Sequence, residues 1–95
     1  RMNFIDGAAA AGYGAARIGI RPEHIAISTT AGQWKGTVGV AEHLGSDTFV
    51  HVHTDEHGTI NVRADGEVVV DHGDTVYLTP DERRLHRFDP EGRAV

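Results

Sequence analysis

From Trp34 onward the chain alternates apolar and polar side chains in short runs, the period of a strand with one face on a core. Thr59–Arg63 places Ile60 and Val62 on one side and Thr59, Asn61 and Arg63 on the other, and Thr75–Thr79 does the same with Val76 and Leu78. Val50 and Val52 alternate with Phe49, His51 and His53 up to the polar stretch Asp55, Glu56, His57, Gly58. Glycine suits the positive φ of a hairpin connection, so Phe49–Thr54 and Thr59–Arg63 are predicted to pair. Nearer the N-terminus, Arg17–Ile20 and Ile25–Ile27 are short alternating pieces interrupted by Pro22, which removes a backbone donor and biases Arg21 away from helix. They read as a strand broken by a tight turn.

Gly45, Gly58, Gly66 and Gly73 close apolar runs at the spacing of a small barrel or sandwich. Pro80, followed by Asp81 and Glu82, predicts a single helical turn over Pro80–Arg84. The stretch Gly7–Ala16 is small and low in complexity, and Gly12 and Gly14 would each cost about 1 kcal/mol inside a helix, so it reads as a linker or loop.

At 95 residues the chain has room for one small core. Its 39% apolar and 24% charged residues suit a folded globular domain. There is no cysteine, which excludes disulfides, thiolate metal sites and cysteine nucleophiles. No apolar run approaches the ~20 residues that cross a bilayer. A formal charge of −5, with no basic cluster interleaved with aromatics, argues against nucleic acid as a partner. The only lysine, Lys35 in Trp34-Lys35-Gly36, lacks the glycine spacing and the following hydroxyl of a phosphate loop, so ATP hydrolysis by this chain alone is not expected.

Seven histidines raise a metal reading. His51 and His53 share one face of a predicted strand, with His57 just beyond, and these three are the candidate ligands. Two strand histidines do not by themselves make a site, and histidines on a solvated strand face are the plainer account, so no metal is expected, and a free-standing barrel that binds a small ligand or a metal through His51, His53 and His57 stands as the alternative. Glu42 shares strand parity with Val38 and Val40, which would put a carboxylate at the edge of the apolar face with Arg21 or Arg63 as partner; an exposed strand end is the other reading.

Several segments, in order, resemble the C-terminal region of the ATPase subunits of maltose and glycerol-3-phosphate type ABC importers. Met2-Asn3-Phe4-Ile5 is similar to the exit from the ATPase domain, and Gly19-Ile20-Arg21-Pro22-Glu23-His24-Ile25 to the family's most distinctive run. Gly36-Thr37-Val38 with Val40–Thr48, and Gly73–Val76 followed by Leu85–Gly92, resemble later strands and the ending. The resemblance implies an all-β fold: a small barrel of the oligonucleotide/oligosaccharide-binding (OB) type, the transport-associated regulatory (TOBE) domain, with about five to seven short strands. It divides the chain into an N-terminal segment and linker, 1–16, and an OB-like domain, 17–95.

The same resemblance implies an accessory, regulatory and dimer-stabilising role without catalysis or cofactor in this chain, ATP and magnesium belonging to the parent subunit. Expected partners are a second copy, the parent ATPase domain and the transporter's membrane subunits, on the cytoplasmic side. The transported solute would be chosen by other subunits. Arg21 and Glu23 would offer charges to a neighbour, Gly45 would permit a turn, and Phe88 would anchor the last strand. Members of this family carry a longer stretch where residues 7–16 stand here, which leaves the barrel incomplete or completed by a partner's strand, and an unpaired edge strand invites association.

Overall fold

The computed structural model describes residues 2–66 and 68–95. Residue 1, the start of the expected N-terminal segment, lies outside them.

Among the described residues eight strands form two antiparallel sheets. β1 (Asn3–Asp6), β2 (Arg17–Ile20) and β8 (His86–Phe88) make the smaller, in the order β1-β2-β8. β3 (Ile25–Ser28), β4 (Trp34–Leu44), β5 (Asp47–Thr54), β6 (Gly58–Asp65) and β7 (Thr75–Pro80) make the larger, in the order β3-β7-β4-β5-β6. The fold is all-β, as expected, and among the described residues no strand pairing closes the sheets into a barrel.

Alternation explains most of these strands. Ile60 and Val62 on β6, Val50 and Val52 on β5, and Val76 and Leu78 on β7 are buried, together with Ile18 and Ile20 of the smaller sheet, in one cluster. Each such side chain contributes about 1.5–3 kcal/mol through burial. The predicted hairpin is present: His53 stands opposite Thr59, and Gly58 turns with φ +71°. The broken strand at Pro22 becomes two strands in different sheets. A single 3-10 turn, Pro22–His24, carries the chain from β2 to β3.

The structure departs from the sequence reading in two places and decides an open one in a third. Ala8–Ala11, read as linker, is a short helix, α1, and Ala10 is fully buried in the core. The two glycines fall after the helix, not inside it, so they cost nothing there; Gly14 turns with φ +74°. Pro80 does not open a helix but ends β7 opposite Ile25, and Asp81 instead caps the turn Glu82–Arg84, its side chain accepting from the Arg83 N–H. Glu42 is exposed. A bulge shifts the β4–β5 register between Val38 and Val40, so Gly39 is the extra residue and the parity reverses after it. Val38 is buried, but Val40 and Glu42 face solvent, and Ala41 takes the inward place opposite Val50.

Asn3 joins the two sheets. β6 is an edge strand, and the Asn3 side chain treats it as a neighbouring strand would: Nδ2 donates to the Asn61 carbonyl at 2.8 Å, and Oδ1 accepts from the Asn61 N–H at 2.9 Å. Asn3 is itself only 7% exposed, so both bonds lie where water competes poorly.

Candidate functional site

The 3-10 turn after β2 lies against β6 and brings the distinctive Arg21-Pro22-Glu23-His24 run beside the outward side chains of β5 and β6. Proline at the first position and extended backbone at Arg21 set the turn, and the His24 N–H closes it on the Arg21 carbonyl at 3.0 Å. The His24 carbonyl in turn accepts from Asp81 N–H at 2.9 Å, tying this turn to the one after β7. Arg21 and Glu23 are both exposed. A backbone N–H at Glu23 holds its carboxyl below the usual range, and the charges of His24, Arg63 and Arg21 add to the effect. Glu23 is therefore an anion on a rim that also carries two arginines.

Beneath this rim, outward rows cross the sheet in register. Glu42, Phe49 and Arg63 form one, and Val40, His51 and Asn61 the next. Arg63 does not pair with Glu42: its Nε and Nη2 donate to Asp47 Oδ2 at 3.1 and 2.9 Å, and its guanidinium lies 5.9 Å from the Phe49 ring centre. Pro22, Phe49, His51 and Asn61 surround a small cavity of about 220 Å³.

The three candidate metal ligands are not brought together. His51 and His53 do share the outer face, but His53 Nδ1 is hydrogen-bonded to Thr59 Oγ1 at 2.9 Å and its ring lies over Gly39. His57 is on the hairpin loop with its ring edge-on to Trp34 at 5.7 Å. Among the described residues no group of three or more histidines and carboxylates is placed to hold a metal ion.

Phe88 belongs to a second surface, the outer face of β1-β2-β8. Its ring stands 6.0 Å from that of Phe4, and both border Gly19, where a Cβ would run into Met2 Sδ and come within 3.2 Å of Phe88 Cε2. Phe4 is 56% exposed, a large apolar side chain left facing out. Arg17 flanks it, with its Nε donating to Asp6 Oδ1 at 2.7 Å, and the Arg17 contact holds the Asp6 carboxyl below its usual range. A groove of about 550 Å³ runs along this face between Phe4, Arg17 and Phe88. Sequence reasoning missed Phe4, Asn3 and Asn61. The alternation of Asn3-Phe4-Ile5-Asp6 was the available signal for Phe4, since it sets Ile5 inward and Phe4 outward.

Residues 18–88 match the family model of the TOBE domain. The chain belongs to this family. Among curated proteins, an uncharacterized ABC transporter ATP-binding protein, YurJ of Bacillus subtilis, is 36% identical over 78 residues, covering 77% of this chain and 21% of that protein. The maltose/maltodextrin import ATP-binding protein MalK of Photobacterium profundum is 36% identical over 80 residues, covering 81% and 21%. The sn-glycerol-3-phosphate import ATP-binding protein UgpC of Psychromonas ingrahamii is 31% identical over 82 residues, covering 79% and 22%. This TOBE domain thus spans about a fifth of the length of the curated relatives it matches. Among the described residues no helix is long and apolar enough to cross a membrane.

Proposed function

We propose that this TOBE domain is the accessory module of the ATP-binding subunit of a sugar-type ABC importer, where it stabilises the subunit dimer and receives regulation on the cytoplasmic side of the membrane. It hydrolyses no ATP itself; ATP and magnesium are held elsewhere in the parent chain. The observation that carries this reading is the family match over residues 18–88, together with relatives that are each named as ATP-binding proteins of importers or transporters. Two features of the surface support it. The Pro22 turn sets Arg21 and Glu23 out as a rigid charged pair of residues, and Phe4 with Phe88 leaves an apolar face without cover. Exposed charges on the one surface and exposed aromatic area on the other each suit association between subunits.

The test uses the full-length subunit. Substituting Arg21→Ala with Glu23→Ala is expected to weaken subunit dimerisation about tenfold by analytical ultracentrifugation, the loss typical of removing rim charges with partners. Nucleotide affinity, measured with a fluorescent ATP analogue, should be unchanged. Unaltered dimerisation, or loss of nucleotide binding itself, would overturn the reading.

A further inference from the structure

The cavity between the Pro22 turn and the β5–β6 face has the composition of a small binding site. Its lining is Pro22, Phe49, Val50, His51, Asn61 and Val62. His51 and Asn61 stand directly opposite each other across the two strands, so their side chains approach the same spot. The Asn61 backbone is fully occupied by Asn3, yet its side-chain Oδ1 is buried without a hydrogen-bond partner. A buried acceptor left unmade costs about 1–3 kcal/mol, a cost that turning the Asn61 carboxamide toward the cavity would remove.

We infer that this cavity binds a small neutral polyhydroxy compound, a polyol or a single sugar ring. Three observations select that class. A hydroxyl both donates and accepts, so it serves the Asn61 carboxamide whichever of Oδ1 or Nδ2 is turned toward it, and it serves either ring nitrogen of His51. The Phe49 ring and the Pro22 ring supply apolar walls for the C–H groups between hydroxyls. Among the described residues no Asp, Glu, Lys or Arg lines the cavity, and Arg63, over Phe49, is already answered by Asp47. A charged ligand would find no counter-ion in that lining. At about 220 Å³ the space is below the ~300–1,000 Å³ of sites for drug-sized ligands, and room for roughly seven waters, which suits a molecule of three to six carbons. The inference stands on the cavity alone and does not depend on the assembly role proposed above.

The experiment is a titration of the 95-residue chain with glycerol and with myo-inositol, followed by amide and side-chain NMR shifts, with glycerol 3-phosphate as the charged comparison. The expected result is saturable shifts at a millimolar dissociation constant, confined to Phe49, His51, Asn61 and Val62, with Trp34 and Val76 unmoved. Asn61→Ala should weaken binding about tenfold, the size of one or two hydrogen bonds lost. His51→Ala should weaken it too, and serves where the first variant does not fold. No shift, which would leave the cavity to water alone, overturns the inference. So do an unsaturated drift over the whole chain, equal affinity in both variants, or tighter binding of the phosphate ester.

Discussion

Gly36 and Gly39 lie three residues apart on β4, and the same substitution should behave differently at each. At Gly36 an added Cβ would come within 2.7 Å of Val52 Cγ1, 2.8 Å of the His53 carbonyl oxygen and 3.0 Å of Thr54 Cα. Val52 is fully buried, and the other two atoms are backbone of β5, which is held on its far side by β6. Nothing there can step aside, because Gly36 sits between Thr54 on β5 and Val76 on β7 in the middle of the larger sheet. Forced overpacking of this kind costs about 1–3 kcal/mol and reaches the upper end where backbone must move. At Gly39 the obstacle is instead the His53 ring, whose Cδ2 lies 2.8 Å from the built Cβ. That ring is exposed and can rotate away, giving up its bond to Thr59. A solvent-facing hydrogen bond of this sort is worth about 0.5–1 kcal/mol. Urea denaturation followed by the fluorescence of the single, buried Trp34 reads both variants. With a slope near ~1–1.5 kcal/mol per molar for a domain of this size, Gly36→Ala should lower the midpoint by about 2 M and Gly39→Ala by less than about 1 M. Equal losses, or a larger loss at Gly39, would refute the argument that rigid backbone and mobile side chain decide the cost.

Asn3→Leu keeps the branching of the side chain and removes both bonds to Asn61, leaving a strand N–H and C=O without partners, so it should cost about 3 kcal/mol and speed hydrogen exchange of the Asn61 amide ahead of Val62. Gly58→Ala forces a φ of +71° on a residue with a Cβ and should destabilise by about 1 kcal/mol, read as a lower melting temperature with an unchanged denaturant slope. The carboxyls of Asp6, Glu23 and Asp81 are all held below their ordinary values of 3.8, 4.5 and 3.8. In acid the unfolded chain therefore takes up protons first. The stabilisation they give is complete above these values and is lost as pH falls through the lower, folded ones. Melting temperatures between pH 2 and 6 should fall in that window, and less steeply in Arg17→Met, whose Asp6 has lost its partner.

The β5–β6 hairpin and β7 were legible because alternation, a turn glycine and burial on one face all agree there. Gly39 shows where such reading stops. A bulge inserts one residue and reverses parity, and nothing in Val38-Gly39-Val40 marks Gly39 as the extra residue, so parity alone left Glu42 between the edge of the apolar face and an exposed strand end. Residues 8–11 were misread for a different reason: alanine is weakly apolar, and only the space beside Ile5 and Ile18 makes Ala10 a core residue. Among the candidate residues, Arg21 and Glu23 came from the resemblance of the run around Pro22 to the family. The pairing of His51 with Asn61 follows once the hairpin register is known. The role of Asn3 does not, since it depends on a strand edge 58 residues away arriving beside it.

That clamp changes what counts as the working unit when the domain is moved or trimmed. The family match begins at Ile18, and cutting there would look harmless. It would remove Asn3 along with β1, and bare the backbone of β6 to any passing strand. A β-edge opened in this way is a template for aggregation. Grafts and truncations that retain residues 2–16 should stay monodisperse on concentration, while those that start at the matched span should not.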